Sequence, residues 1–113
     1  MLSVVNIKQY LPSVDYAMYH LEQAISECVA TGTQVLVVVH GYGSHGQGGN
    51  IKRAARVLLK RLKKEGKIAT YVGGEEWGDT NADKLVINKL CPETILSSQI
   101  GNLNPGVTVI LIN

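Results

Sequence analysis

With 113 residues, of which 45% are hydrophobic and 18% charged, the chain is large enough for one compact domain and too small for two. No apolar run approaches the roughly 18 residues that span a bilayer, and the N-terminus lacks the basic patch and apolar stretch of a signal peptide. The net charge of +2 does not by itself indicate a polyanionic partner. We therefore expect a single soluble domain over residues 1–113, located in the cytoplasm and not bound to a membrane.

The first half of the chain predicts a strand, a helix and a second strand. Ser3–Ile7 is typical of a short strand, and Ser13 is a good N-cap for a helix that ends at Gly32, a residue suited to a left-handed C-cap. The apolar residues of this helix recur at helical spacing: Val14, Ala17, Met18, Leu21, Ile25, Cys28 and Val29. Val35–Val39 is an unbroken apolar run, typical of a central strand covered on both faces, and His40 follows its carboxyl end.

The ten residues from His40 to Gly49 include five glycines, and Asn50 is a good N-cap for a second helix over Ile51–Glu65. Its predicted buried stripe consists of Ile51, Ala54, Ala55, Leu58 and Leu62. The opposite face is basic and consists of Arg53, Arg56, Lys60, Lys63 and Lys64. Eight of the eleven Lys and Arg residues lie between positions 52 and 67, a concentration that can form a footprint for a polyanion.

Two further strands are predicted at 68–72 and 107–112, and between them residues 73–103 form a polar excursion. Within it we expect a short helix over 83–90 that stops before Pro92. The residues of this helix expected to face inward are Leu85, Val86 and Leu90. The order β-α-β-α-β-(α)-β favours a sheet with a parallel core built by right-handed crossovers.

The cysteines and histidines form no pattern that indicates a metal site. Cys28 and Cys91 belong to no CxxC or CxxH pattern, and two reduced thiols in a cytosolic protein are the simpler interpretation. No cluster of His, Cys and Asp has metal-ligand spacing. We expect neither a metal nor another cofactor, and His20, on the helix face away from the apolar stripe, is expected to be inert.

Any ligand is expected at the loop from His40 to Asn50. In open α/β sheets ligands bind beyond the carboxyl ends of the strands, and a helix N-terminus offers unpaired N–H groups and a positive dipole end to an anion. Glycines let the backbone approach a phosphate closely. The alternative is a flexible connection without a ligand, although the five glycines then carry an uncompensated entropy cost.

Two known phosphate loops fit this segment poorly. It lacks the Gly-Lys-Ser/Thr sequence of a Walker A loop. Gly41, Gly43 and Gly46 match the dinucleotide pattern GxGxxG, but the acids Glu75 and Glu76 follow about 30 residues later, where that site needs an acid about 20 residues on. The chain is also too short for a complete six-stranded dinucleotide-binding domain.

The segment from the second strand into the basic helix resembles the HGxG region of small MutS-related (Smr) domains. An apolar strand runs into His40-Gly41-Tyr42-Gly43, and Gly48-Gly49 then leads into a basic amphipathic helix. Pro12–Ala17 is similar to the start of the family's first helix, and Asn104–Val109 to its glycine-led last strand. The resemblance implies a two-layer α/β sandwich with a four-stranded mixed sheet, similar to the C-terminal domain of translation initiation factor three. It also implies binding to branched DNA or to RNA, in some members with endonuclease activity.

The first strand departs from the family pattern. Many Smr domains carry Leu-Asp-x-His-Gly there, whereas the matching stretch in this chain is Val5-Asn6-Ile7-Lys8-Gln9. Neither Asn6 nor Lys8 can act as a general base at neutral pH. The family's usual cleavage residues are therefore incomplete, while Lys8 adds a charge that suits a phosphate.

His40 is the candidate catalytic residue, as a general acid or base, and the alternative is a structural histidine hydrogen-bonded to the loop. The candidate nucleic-acid or phosphate contacts are Gly41, Tyr42, Gly43, Ser44, His45, Gly48, Gly49, Arg53, Arg56, Lys60 and Lys63. Tyr42 can stack on a base or simply pack, and the basic helix face can contact phosphates or only be solvated. The acids of Glu75–Asp79 come just after the third predicted strand, so we expect them at the same end of the sheet as His40, where they could replace the missing carboxylate. The simpler interpretation is a solvated loop with Trp77 packed over the sheet edge.

Three functions stay open. The first is a stand-alone Smr-like domain that binds DNA or RNA through the glycine loop and the second helix, with or without nicking. The second is a catalytically inactive binding or adaptor module, and the third is a small nucleotide or phosphate binder. The sequence does not choose between DNA and RNA, and it gives no oligomeric state.

Overall fold

The chain forms a four-stranded sheet with helices on both of its faces. A computed structural model describes residues 1–10, 12–41, 47–97, 100–101 and 103–113. In these residues the elements are, in chain order, β1 (Leu2–Asn6), α1 (Val14–Thr31), β2 (Val35–Val39), α2 (Gln47–Lys64), β3 (Thr70–Gly73), a 3₁₀ helix (Gly74–Glu76), α3 (Ala82–Leu90), a second 3₁₀ helix (Pro92–Leu96) and β4 (Val107–Leu111). Among the described helices, none is long and apolar enough to cross a membrane.

The sheet is mixed and has the strand order β1-β2-β4-β3. β1 pairs in parallel with β2, and β4 pairs antiparallel with both β2 and β3. The four-stranded mixed sheet is therefore confirmed, whereas the expectation of a parallel core was wrong for β4. The reason is that the chain after β3 returns to the end of the sheet where β3 finishes. Gly74 packs there so closely against Asn104 that a Cβ on Gly74 would lie 1.9 Å from the Asn104 carbonyl oxygen, and β4 must then run the other way.

β2 is central, as predicted, with β1 on one side and β4 on the other. Leu36 and Val38 pack into one hydrophobic cluster with α1 and α2, while Val35 and Val37 pack into a second cluster on the opposite face. All four side chains are buried, which explains why the apolar run is unbroken. His40 directly follows β2 and so lies at the carboxyl end of a central strand.

α1 carries both predicted caps. The Ser13 side chain accepts a hydrogen bond from the Tyr16 N–H at the start of the helix, and Gly32 ends it with φ at 73°. Val29 was placed in the apolar stripe but is exposed, because it lies at the margin of the stripe in the last turn.

α2 begins at Gln47, before the predicted start, so Asn50 lies inside the helix and is not its N-cap. The Asn50 side chain instead accepts a hydrogen bond from Arg53. The buried stripe also includes Leu59, which was not predicted, whereas Ala54 is only half-buried. The first turn of α2 therefore lies closer to His40 in sequence than the predicted boundary implied.

The segment between β3 and β4 covers the second face of the sheet. Trp77 is only 8% exposed and lies in a hydrophobic cluster with Ile87, Cys91 and Ile100 against β2, β3 and β4. The acids Glu75, Glu76 and Asp79 are exposed, as expected of a solvated loop, but Trp77 packs on the face of the sheet and not over its edge. An apolar strand such as β2 needs a cover on both faces, and this segment supplies the second one.

α3 turns a different face to the sheet than the one predicted. Ile87 is fully buried, whereas Leu85, Val86 and Leu90 are 58%, 50% and 46% exposed. The face that so short a helix turns to the sheet is set by the buried residues that precede and follow the helix, and not by the number of apolar residues on each face.

We expect Ile87→Ala to lower the free energy of unfolding by about 2–5 kcal/mol, the usual range for truncating a buried aliphatic side chain. Leu85→Ala, on the exposed face of the same helix, is the matched control and should cost less than about 0.5 kcal/mol. Urea unfolding followed by the fluorescence of Trp77, the single tryptophan, gives both values. Equal losses in the two variants would contradict this inward face of α3.

Candidate functional site

The strand ends bring the candidate residues together at one edge of the sheet. The register places the last residues of β1 and β2 beside the first residue of β4, and the last residue of β3 beside Thr108. The turn after β1, His40 and the 3₁₀ helix that carries Glu75 therefore meet at this edge. The sequence predicted this for both His40 and Glu75, because β1, β2 and β3 run in the same direction.

His40 is fully buried at this edge, and both of its ring nitrogens are hydrogen-bonded. Nδ1 lies 2.6 Å from the carbonyl oxygen of Gly41, and Nε2 lies 2.8 Å from Oγ1 of Thr108. Since a carbonyl oxygen only accepts, Nδ1 carries the proton, and in the neutral ring Nε2 accepts from the Thr108 hydroxyl. This is the arrangement of a structural histidine, in which both ring nitrogens are already engaged within the protein.

The surroundings of His40 keep its ring uncharged at neutral pH. Burial lowers the pKa of His40 to about 4, and the positive charges of Arg56 and Lys52 act in the same direction. The hydrogen bond to Gly41 and the negative charge of Glu75 oppose this shift. The neutral form is also the one that the hydrogen bonds require, because only neutral Nε2 can accept from Thr108.

Thr108 connects His40 to a cluster of ion pairs. Its Oγ1 accepts a hydrogen bond from Nε of Arg56 at 2.8 Å. The same guanidinium contacts Glu75, with Nη2 at 3.0 Å from Oε1 and Nη1 at 3.3 Å from Oε2. Nζ of Lys52 lies 3.1 Å from Oε2 of that carboxylate. Burial opposes ionisation of Glu75, but hydrogen bonds from Arg56 and Lys52 lower its pKa to about 2.

The Glu75 carboxylate is therefore occupied in this arrangement. Its proposed use as a replacement for the missing family acid requires that it first leave Arg56 and Lys52. Gly73 makes room for the ion pairs, since a Cβ there would lie 2.5 Å from Oε1 of Glu75 and 2.7 Å from Nη2 of Arg56. The glycine at this strand end thus serves the packing of the cluster.

Lys8 lies over the start of the glycine loop. Gly41 has φ at +74°, and a Cβ there would lie 3.0 Å from Cδ of Lys8, so the position favours glycine on both counts. The side-chain oxygen of Asn6 accepts a hydrogen bond from the Lys8 N–H at 3.0 Å. The two residues that stand where the family has Asp and His thus form a turn that holds a lysine against the HGxG segment.

The basic face of α2 divides into two groups. Arg53, Lys60, Lys63 and Lys64 are exposed, and no ion pair joins any of them to another described residue. Arg56 was predicted to share this outer face, which was wrong, because its side chain is 23% exposed and turned towards β4. Arg56 thus lies closer to the sheet than its predicted place on the outer face of α2 implied.

Part of the predicted loop site lies outside the described residues, namely Tyr42, Gly43, Ser44 and His45. Gly48 and Gly49 lie in the first turn of α2, where N–H groups have no intrahelical partner. Across the ranges that the structure describes, no group of three or more His, Cys, Asp or Glu side chains is placed to hold a metal ion.

Two residues of this edge, Thr108 and Lys52, were not predicted from the sequence. Thr108 is fully buried within the otherwise apolar strand β4, and a hydroxyl in such a strand is a signal, because a buried hydroxyl needs a hydrogen-bond partner. Lys52 lies one turn before Arg56 on α2, a spacing that places two side chains on the same side of a helix.

These elements define a small α/β domain with a mixed sheet and a buried histidine at its carboxyl edge. Residues 10–80 match the family model of the Smr domain, and because this match covers more than half of the chain, the protein belongs to the Smr domain family. Its fold is similar to the crystal structure of the Smr domain of Thermus thermophilus MutS2, with a TM-score of 0.60 and 22% identity over 98% of each chain. Comparison with curated proteins gives no significant match.

The low pKa of His40 predicts a pH-dependent stability. An unfolded chain protonates this histidine near pH 6.5 and the folded protein only near pH 4, so the stabilisation is fully present above pH 6.5 and is lost as the pH falls towards 4. Between pH 7 and pH 5 we expect the free energy of unfolding to drop by about 2 kcal/mol from this residue. Urea unfolding of the wild type and of His40→Asn at both pH values isolates the contribution, and a ring that titrates near pH 6.5 by NMR would contradict it.

Removing the Thr108 hydroxyl should destabilise the fold, because two nitrogen atoms lose their hydrogen-bond partner. Thr108→Val keeps the size of the side chain but leaves Nε2 of His40 and Nε of Arg56 without their partner, at a cost of about 1–3 kcal/mol for the buried ring and less for the partly exposed Arg56. Thr108→Ser keeps the hydroxyl and is the control. We expect the ¹⁵N resonance of His40 Nε2 to move in the Val variant and to stay in place in the Ser variant. No difference between the two would show that the hydroxyl does not hold the ring.

Proposed function

We propose that this Smr domain binds DNA or RNA along a basic surface made of Lys8, Arg53, Lys60, Lys63 and Lys64. The observation that carries the proposal is that these cations are exposed and form no ion pair within the described part of the chain. Cations left without acids, four of them on one face of α2, are available to neutralise phosphates.

The dimensions of the basic surface suit a nucleic-acid strand. From Arg53 to Lys64 the cations extend over roughly 16 Å of helix, at about 1.5 Å per residue. Phosphates of one strand of a duplex repeat about every 3.4 Å along the axis. The helix face can therefore meet several phosphates at once, and Lys8 extends the positive charge to the turn beside Gly41.

The glycine loop and the first turn of α2 complete the proposed surface. We infer that backbone N–H groups there hold one phosphate, because a helix N-terminus carries unpaired N–H groups and the positive end of the dipole. The residues included in this part of the proposal are Gly41, Tyr42, Gly43, Ser44, His45, Gly48 and Gly49. Lys8, which packs over Gly41, adds a charged side chain at the same place.

His40 acts in this proposal as a positioning residue that fixes Gly41 and the start of the loop. Its burial and its two hydrogen bonds support this role over that of a general acid or base. Cleavage stays a prediction of the family resemblance. A nick produced by the wild type and lost in His40→Asn, with folding and oligonucleotide binding intact, would restore His40 as a catalytic residue.

The salt dependence of binding tests the basic surface. We expect Arg53→Gln/Lys60→Gln to weaken binding and to flatten the slope of log affinity against log salt by about 1.4–1.8, since each lost phosphate contact removes about 0.7–0.9. Lys67→Gln/Lys89→Gln changes the net charge equally at exposed positions outside these five cations, and Lys67 is already paired with Glu65, so this double variant is the control for charge alone. Mobility shifts with single-stranded, duplex and branched DNA and RNA give the slopes.

The same panel separates the alternatives. Equal slopes for the two double variants would show that the basic helix face only keeps the protein soluble and does not contact phosphates. Saturable binding of a mononucleotide, with little affinity for any oligonucleotide, would favour a small nucleotide binder instead.

A further inference from the structure

Lys52 and Arg56 hold the Glu75 carboxylate at the same edge of the sheet as His40 and Gly41. We propose that these two cations form a phosphate-binding site for the nucleic-acid backbone, and that Glu75 occupies this site in the free protein as an intramolecular competitor. The inference rests on the proposed nucleic-acid binding. It adds a site outside the basic surface and a residue that lowers affinity.

The Arg56 guanidinium is held in place independently of Glu75. Its Nε donates to Oγ1 of Thr108, which is fully buried and is itself bound to His40. This leaves Nη1 and Nη2 as a fork facing Glu75 at 3.3 and 3.0 Å. A planar fork with two parallel donors matches the oxygens of a phosphate as well as those of a carboxylate.

Lys52 adds a second cation to the same site. It lies one turn before Arg56 on α2, and its Nζ is 3.1 Å from Oε2 of Glu75, the oxygen that Nη1 of Arg56 also contacts. Two cations therefore face one carboxylate, and one positive charge stays uncompensated. A backbone phosphodiester carries one negative charge and two non-bridging acceptor oxygens, as a carboxylate does, so it can engage both cations in the place of Glu75.

The site is open to solvent. The side chains of Lys52, Arg56 and Glu75 are 20%, 23% and 36% exposed, so an incoming anion can reach them without opening the core. Glu75 belongs to a three-residue 3₁₀ helix, and it can be released to water by side-chain rotation. The exchange of one partly exposed ion pair for another costs little free energy, because such pairs are weak in water.

A purely structural ion pair predicts the opposite effect of removing the charge. If Glu75 only ties the 3₁₀ helix to α2, Glu75→Gln loosens this contact and leaves binding unchanged or weaker. If Glu75 competes with phosphate, the same change frees two cations and strengthens binding. Gln keeps the side-chain length and one acceptor oxygen, so it tests the charge with little change in packing.

The experiment compares Glu75→Gln with Glu76→Gln, its neighbour on the same 3₁₀ helix, which is exposed. Both variants change the net charge equally, and only the first frees Lys52 and Arg56. We expect Glu75→Gln to bind oligonucleotides several-fold more tightly than Glu76→Gln and to steepen the salt slope by about 0.7–0.9, the value of one further phosphate contact. Adding Lys52→Gln to Glu75→Gln should cancel the gain.

Titration with inorganic phosphate separates this inference from the proposed function. In Glu75→Gln we expect saturable NMR shifts of the Lys52 and Arg56 side chains that are weaker in the wild type. If the wild type binds no oligonucleotide, the proposed function fails, and the phosphate titration still decides whether the site exists. Absence of these shifts in folded Glu75→Gln, or oligonucleotide affinity no higher than that of Glu76→Gln, overturns the inference.

A second pair of variants covers the case in which Glu75→Gln does not fold. Lys52→Gln removes one of the two cations and should weaken oligonucleotide binding several-fold if a phosphate takes the place of Glu75. Lys89→Gln, an exposed lysine on α3, gives the effect of the charge alone. Equal affinities in these two variants would also overturn the inference. Trp77 fluorescence during urea unfolding establishes that each variant is folded.

Discussion

The buried hydroxyl of Thr108 is the interaction on which the edge of this domain depends. One oxygen donates to Nε2 of His40 and accepts from Nε of Arg56, so it joins the central strands to α2. Inside a protein such groups must be paired, because an orphaned one keeps its full desolvation cost. The position of the Arg56 fork, which faces Glu75, follows from this contact, while the Gly41 carbonyl sets the tautomer of His40.

The contact with Thr108 also indicates a structural role for His40, the histidine of the HGxG segment. A ring that donates to the Gly41 carbonyl and accepts from Thr108 holds the backbone at the start of the loop, where Gly41 adopts a positive φ. Asn6 and Lys8 stand in the positions of the family Asp and His, and the Glu75 carboxylate at this edge is already paired with Lys52 and Arg56. This composition suits phosphate binding better than proton transfer.

The segment after β3 affects both the fold and the site. By covering the second face of the sheet, Trp77 and Ile87 let β2 be apolar on both sides. By returning to the edge where β3 ends, the segment fixes β4 antiparallel and carries Glu75 to the two cations of α2. A single excursion thus supplies core packing and, in our proposal, a competitor for phosphate.

The sequence by itself determined what depends on neighbours along the chain. The central strand Val35–Val39, the caps of α1 at Ser13 and Gly32, the basic character of α2 and the family pattern around His40 all follow from local spacing and were predicted. Only the tertiary structure decided the direction of β4, the inward face of α3 and the partners of Arg56. Those depend on contacts between residues far apart in sequence, such as the one from Arg56 to Thr108. Helical and strand periodicity identify a buried face but contain no information about which distant residue it will meet.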